Sequence, residues 1–329
     1  MKSIKRNNWV SDHPDKLPDF IIAGAMKSGT TTLHSILDRH PSVKMAHGEL
    51  GFFDMDSILS HPDFHFYDNR TQKWTVQSME ESPEKLWNWY YSHFEYIKKD
   101  GVLIGEDSTT YLSSPLAAQR IALQQKPIKL IFLLRNPTKR TISNYLHALK
   151  SGRAIYNLED TLRYIPNSIL RRSMYKEQLE SYYKHIPDER IKVIVFEDFI
   201  SNTKYSIAEI CEFLEIDFND FQESDLLLHS NKTKIPKYEN LQLLRNRLLR
   251  YYGDHRYMNM PVMPKDFQAD IPWSHKLINK IHKKINPMKA DVKYIPKPET
   301  VAYLDAFFRT EMQGLDDLVK KDITSRWFI

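Results

Sequence analysis

The sequence predicts an α/β three-layer sandwich, with a central, mostly parallel sheet and helices on both faces. Three observations carry that prediction. Four apolar runs of strand length, FIIA (20–23), VLIG (102–105), IKLIFLL (128–134) and IKVIVF (191–196), alternate with helical patterns, as in a chain built from βα units. The runs are continuously apolar, so both faces of each strand must be covered. The first run also passes straight into a Gly/Ser/Thr-rich turn and a helical pattern, AGAMKSGTTTLHSIL. That is how a phosphate cradle forms, with loop and helix N-terminal amides aimed at an anion.

Taken in order, residues 1–17 form a polar N-terminal segment without the apolar core of a secretory signal. After the first strand, Gly24 and Gly29 keep the spacing of a nucleoside-triphosphate loop, which continues Lys-Ser/Thr. Here Thr30 stands in the lysine position, and the lysine is Lys27, inside the loop. Residues 54–85 are polar and turn-rich and read as an excursion over the binding face. LWNWYYSHFEYI (86–97) sets Leu86, Tyr90, Phe94 and Ile97 on one helical stripe, with Trp87 and Tyr91 off it. Such a face packs inward or offers an aromatic platform to an acceptor.

The strand KLIFLL ends at Arg135, Pro137 fixes a turn, and a helix follows that carries Arg140, Ser143 and Tyr145. A strand that serves Mg²⁺ in a nucleotide site ends in an acidic residue, and this one ends in arginine. The planar guanidinium fork suits phosphate, and Ser143 adds a hydroxyl donor. Beyond Phe196 the chain turns largely helical. IAEICEFLEI places Cys211 with Ile207, Ile210 and Leu214 on one face, a core position. Residues 253–298 are rich in Pro, Met and Lys. Their basic run HKLINKIHKKINPMK is a solvated helix face or an anionic acceptor surface.

Composition narrows the classes. The 329 residues include 41% hydrophobic and 27% charged residues, as in an ordinary soluble globular protein. With no repeat, low-complexity tract or boundary in view, one domain over 1–329 is expected. The formal net charge of +5 suits an anionic ligand but is too weak to argue for nucleic acid. The single cysteine excludes a disulfide within the chain. No His/Cys cluster has metal-ligand spacing, and no apolar run reaches the roughly 18 residues of a membrane span. The expected compartment is the cytoplasm.

Two anion sites without a metal-holding aspartate suggest a nucleotide with phosphates at two separate positions. The loop AGAMKSGTT resembles the 5′-phosphosulfate loop of the sulfotransferases that use 3′-phosphoadenosine 5′-phosphosulfate (PAPS). RNPTKRTISNY (135–145) resembles their 3′-phosphate motif, R-x-P-x-x-R-x-x-S-x-Y, at every fixed position. HGELGFFD (47–54) is similar to the K-E-x-x-F-F segment of the heparan-sulfate-type carbohydrate sulfotransferases, and GEDSTTYLSSP (105–115) resembles their G-E-K-[ST]-P-x-Y-F-x-S-P segment. VIVFEDF (193–199) and NKTKIPK (231–237) fit the family only loosely.

The resemblance implies a P-loop-like sulfotransferase fold. It implies transfer of a sulfuryl group from PAPS to a hydroxyl or amine of a saccharide or small natural product, releasing PAP without a metal. By the same likeness Lys27, Ser28, Gly29, Thr30 and Thr31 hold the 5′-phosphate and sulfuryl oxygens, and Lys27 also neutralises charge in the transition state. Arg135 and Ser143 hold the 3′-phosphate, joined from a late loop by Lys232, Lys234 and Lys237. Glu49 is the implied catalytic base. His47, on the same side if the segment is extended, competes for that role or lines the acceptor pocket, where Asp107 and Ser108 are also expected. The departures concern the acceptor: Gly48 and Asp107 replace two lysines, which points to a neutral or basic acceptor rather than a polyanion. Two other readings stay open. An atypical P-loop small-molecule kinase needs a metal-holding carboxylate, which only Glu197 or Asp198 offers, and a non-catalytic PAP-binding protein needs no base.

Overall fold

A computed structural model describes residues 7–68, 71–227, 234–249, 272–290 and 293–328. In chain order the strands are β1 (Phe20–Gly24), β2 (Val43–Glu49), β3 (Phe66–Asp68), β4 (Lys73–Thr75), β5 (Leu103–Asp107), β6 (Lys129–Leu134), β7 (Ile191–Val195), β8 (Ile235–Pro236) and β9 (Met288–Lys289). Five of them form the central sheet in the order β2-β5-β1-β6-β7. Every pairing in it is parallel. β3–β4 and β8–β9 are small antiparallel pairs.

Alternation along the strands builds the two cores. Phe20 and Ile22 of β1, with Ile131 and Leu133 of β6, face one apolar cluster; Ile21 and Ala23, with Leu130, Phe132 and Leu134, face the other. Both sides are therefore apolar, and helices cover both, as the unbroken apolar runs require. The first cluster takes Leu33 and Ile36 of α1 (Thr30–Leu37) and Ile207, Ile210 and Cys211 of α9 (Thr203–Leu214). Burial pushes the Cys211 thiol up to about 12, in keeping with a core cysteine. The opposite cluster takes α2 (Pro83–Glu95), α3 (Pro115–Ala122) and α7 (Tyr175–Tyr183).

The helix starts follow local chemistry. α3 opens on Pro115 with Ser114 capping the Ala117 N–H, and α4 (Pro137–Lys150) opens on Pro137 with Asn136 capping Lys139. Both combine a side-chain cap with a proline whose missing N–H costs nothing in the first turn. α5 (Leu158–Tyr164) and α6 (Asn167–Leu170) follow, then α8 (Phe196–Ser201) after β7. The C-terminal part carries α10 (Glu239–Leu249), α11 (Trp273–Ile285), α12 (Pro298–Glu311), α13 (Leu315–Val319) and α14 (Thr324–Trp327).

The structure adds one strand to the four apolar runs and decides between the two readings of the aromatic helix. The edge strand β2 lies outside the four apolar runs, because VKMAHGE lacks such a run and its last three residues are exposed. The aromatic helix α2 is packing and not a platform: Leu86, Trp87, Tyr90, Tyr91 and Phe94 are all buried.

Candidate active site

The sheet changes direction at β1, whose neighbours β5 and β6 lead to opposite edges. In open α/β sheets the crevice beyond the strand ends at such a switch point binds the ligand. The loop 24–29 leaves β1 there. Gly29 caps α1 at φ +88°, and a Cβ on it would lie 2.9 Å from the Phe196 ring, so glycine is needed twice over. Lys27 takes the left-handed region at φ +70°, a conformation that surrounding bonds must hold. The Ala25 N–H donates to the Leu133 carbonyl at 2.9 Å, and Ser28 N–H to Ala25.

Arg135 completes the cradle. β1 and β6 are neighbours, so two motifs 108 residues apart meet: Arg135 Nη1 donates to the Lys27 carbonyl at 3.0 Å. The guanidinium also lies over the Phe196 ring at 4.8 Å, and burial lowers its pKa. The Ser28 hydroxyl and Arg135 Nε are both buried without a hydrogen-bond partner among the described residues. Buried polar atoms of this kind call for a partner, and an anionic ligand seated in the cradle would supply one. Ser143 stands half-buried on α4, two turns beyond Arg135, and Thr30 and Thr31 open α1.

Glu49 ends β2, opposite Asp107 of β5, after a shift of register between Met45 and Glu49. Gly48, at φ +77°, marks that irregularity. Thr109 Oγ1 donates to the Glu49 carboxylate, 3.1 Å from Oε1 and 3.0 Å from Oε2. The loop behind Glu49 hangs on a buried acid that sequence reasoning missed. Glu106, 0% exposed, accepts hydrogen bonds from Tyr90 (2.6 Å), Ser108 (2.6 Å) and Tyr111 (2.9 Å). Ser108 Oγ in turn accepts from the Leu50 and Gly51 amides, and the Tyr111 hydroxyl accepts from Phe53. The chain from 50 to 53 is thus fastened to one carboxyl group. A carboxylate directly following the apolar run VLIG was the available signal.

Desolvation dominates at Glu106, raising its pKa to about 7 against the opposing hydroxyl bonds. The folded protein therefore binds this proton more readily than the unfolded chain does. Its contribution is full at low pH and is lost as pH rises toward 7. Glu106→Gln should flatten that part of the stability-versus-pH curve between about pH 5 and 7.5. Glu106→Ala should cost roughly 1–3 kcal/mol for each orphaned buried hydroxyl. Thermal unfolding across pH checks both; a Gln variant that keeps the wild-type slope removes the assignment.

Glu49 opens into a cavity of about 120 Å³ with Met26, His61, Thr110, Arg153 and Arg172 around it. A second cavity of about 270 Å³ shares Met26, Arg153 and Arg172 and runs on to Asn144, His147 and Arg171. His61 comes from the polar excursion. Its Nε2 lies 2.7 Å from Asp54 Oδ1, and its ring stacks on Phe64 at 4.5 Å. A Cβ at Gly51 would come within 2.9 Å of His61 Cε1, so glycine there leaves room for the imidazole. His61, Arg153 and Arg172 carry no motif and were not singled out from sequence.

Several expected residues land elsewhere. His47 does not line the cavity: the break in β2 leaves it exposed, stacked on Tyr96 with centroids 6.1 Å apart. Asp107 is not presented to an acceptor, because His34 of α1 sits 3.2 Å from its Oδ1 and that contact raises the His34 pKa against desolvation. Ser108 is wholly buried and committed to the Glu106 network. Lys232 lies outside the described residues; Lys234 and Lys237 are exposed beside β8. The Glu197 carboxylate accepts the Asn136 amide and the Trp327 indole, and Asp198 pairs with Arg326. Among the described residues no acidic, His or Cys cluster could hold a metal ion.

Comparisons with known proteins bear on the family and the fold. The sulfotransferase domain model matches residues 17–259. The chain is 26% identical to mouse heparan sulfate glucosamine 3-O-sulfotransferase 5, over 65% of this chain and 58% of that protein. It is 24% identical to the human bifunctional heparan sulfate N-deacetylase/N-sulfotransferase 2, over 80% of this chain and 29% of that one. The chain thus spans 58% and 29% of the length of these two relatives, less than two thirds of either. A sulfotransferase from Alicyclobacillus acidocaldarius has the same fold, with a TM-score of 0.58 at 20% identity over 94% of this chain and 98% of that one. The chain belongs to the sulfotransferase domain family.

Proposed function

We propose that the protein is a sulfotransferase that moves a sulfuryl group from PAPS to an acceptor hydroxyl or amine and releases PAP. One observation carries this reading. The Lys27 loop and Arg135 are stitched into a single cradle, and Glu49 stands over a cavity that Met26 of the same loop also lines. Lys27, Ser28, Gly29, Thr30 and Thr31 would hold the 5′-phosphosulfate end, and Arg135 and Ser143 the 3′-phosphate. The donor supplies the sulfuryl group. Glu49 takes the acceptor proton as the acceptor oxygen or nitrogen bonds to sulfur and the sulfur–oxygen bond to the 5′-phosphate breaks. Lys27 offsets the charge that builds on that oxygen, a preorganised electrostatic contribution. Lys232 and Lys234 remain candidates for added phosphate contact.

The kinase reading loses ground because Glu197 and Asp198, its possible metal-holding carboxylates, are spent on Asn136, Trp327 and Arg326. Calorimetry with PAP, adenosine 5′-phosphosulfate and ATP–Mg²⁺ tests the donor. PAP should bind tightest; equal affinity for all three would overturn the two-site assignment. Transfer of radiolabelled sulfuryl to a panel of saccharides and small hydroxylated or amino compounds separates the enzyme from a PAP-binding protein.

For the acceptor, the structure favours a different emphasis from the two missing lysines. Asp107 is paired with His34, and the cavity beside Glu49 is bordered by Arg153 and Arg172. A saccharide-sized acceptor with an anionic group fits those arginines better than a cationic one. Arg153→Ala should raise the acceptor KM several-fold with kcat and PAP affinity near wild type. An unchanged KM on every acceptor found would remove Arg153 from the acceptor site.

A further inference from the structure

The basic run between residues 275 and 289 finds no part in sulfuryl transfer, yet its helix is built in an unusual way. α11 faces the protein with its polar side. His275, Asn279, His282 and Asn286, spaced at helical intervals, are the positions that are half-buried or buried. Asn279 Oδ1 accepts from Arg245 of α10 at 2.7 Å, His282 Nε2 lies 2.9 Å from Gln242 Oε1, and the Asn286 side-chain amide donates to the Tyr238 carbonyl at 2.9 Å. The apolar side therefore turns outward. Trp273 is 76% exposed, and Leu277, Ile278, Ile281 and Ile285 are exposed with it. On the neighbouring α10, Leu241, Leu244 and Leu248 are exposed as well. Isolated exposed apolar residues need no explanation, but a run of them along one side of a helix marks an interaction surface.

Charge says what the stripe meets. Lys276, Lys280, Lys283 and Lys284 run along one edge of the apolar stripe, all exposed, and the helix contains no acidic residue. A helix that is apolar on one side, edged by lysines and headed by tryptophan, has the pattern of one lying in the plane of an anionic lipid surface. A water-soluble polyanion would use the lysines and leave five large apolar side chains in water. No helix among the described residues is long and apolar enough to cross a membrane, so the contact is one of lying on the surface. We propose that the outward face of α11 is a docking surface for an anionic bilayer.

The experiment is co-sedimentation of the full chain with vesicles of phosphatidylcholine containing about a third phosphatidylserine, beside vesicles of phosphatidylcholine alone. Binding should be confined to the anionic vesicles and weaken at least tenfold in half-molar salt, where surface charges are screened. Leu277→Glu with Ile281→Glu should reduce it tenfold or more, and so should glutamine at the four lysines. Because all six positions are exposed, thermal unfolding and PAP affinity should stay at wild-type values. Those two readouts separate a lost surface from a lost fold. A wild-type chain that stays in the supernatant with anionic vesicles overturns the proposal. So does vesicle binding indifferent to the Leu277/Ile281 pair. A concentration-dependent dimer abolished by that pair, or heparin binding without vesicle binding, would assign the face to a second copy or to a polyanion and would likewise overturn it.

Discussion

Glu49→Gln should lower turnover by two orders of magnitude or more and leave PAP affinity within about twofold of wild type. General base catalysis contributes roughly 10²–10⁴-fold, and glutamine keeps the size of the side chain and one acceptor oxygen for Thr109 while losing the capacity to take a proton. The cradle does not depend on Glu49, since the Ala25 and Ser28 amides and the Arg135 guanidinium hold the loop. The loss should therefore fall on kcat rather than on donor binding. Two histidines serve as comparisons. His47→Ala should act weakly, because the ring stacks on Tyr96 outside the cavity. His61→Ala should cost more, through acceptor KM and through an uncovered Asp54 carboxylate. If Glu49→Gln turns over like wild type while His61→Ala is inactive, the proton goes to the imidazole and the glutamate is only a pocket wall.

What was legible in the sequence divides along a physical line. Strands with a continuous apolar run announce themselves, because both of their faces are covered by helices; β1, β5, β6 and the edge strand β7 were each visible by such a run. β2, at the other edge, was not, since VKMAHGE has neither an apolar run nor clean alternation and its last three residues are exposed. The two parts of the proposed anion cradle were legible because each is local: glycine, lysine and hydroxyls in one loop, then arginine, proline and serine in one turn. The cavity beside Glu49 was not. Glu49, His61, Arg153 and Arg172 come from four separate segments, and no spacing links them. The assumption of an extended 47–49 segment failed at Gly48, where a positive φ breaks the alternation. Glu106 shows the same limit from inside the core. It sits in the quoted GEDSTT run, yet its role follows only from three hydroxyls that arrive from α2, from the end of β5 and from the turn after it.

Arg135→Ala should weaken PAP binding by about 10- to 100-fold, from roughly 1.5–3 kcal/mol for hydrogen bonds to a charged group. Ser143→Ala, which removes one neutral donor, should cost only several-fold. Arg135 also ties the Lys27 carbonyl and covers Phe196, so a loss of affinity alone does not separate phosphate reading from a loosened loop. Adenosine 5′-phosphosulfate does separate them, because it occupies the Lys27 loop but has no 3′-phosphate. If Arg135 reads the 3′-phosphate, the variant binds this ligand about as weakly as the wild type does, and the preference for the 3′-phosphorylated nucleotide collapses. If Arg135 mainly props the loop, both nucleotides lose affinity together and the preference survives. Arg135→Lys sharpens the result: it keeps the charge but not the fork that can serve the Lys27 carbonyl and a phosphate at once. It should recover part of the PAP affinity and little of the catalysis.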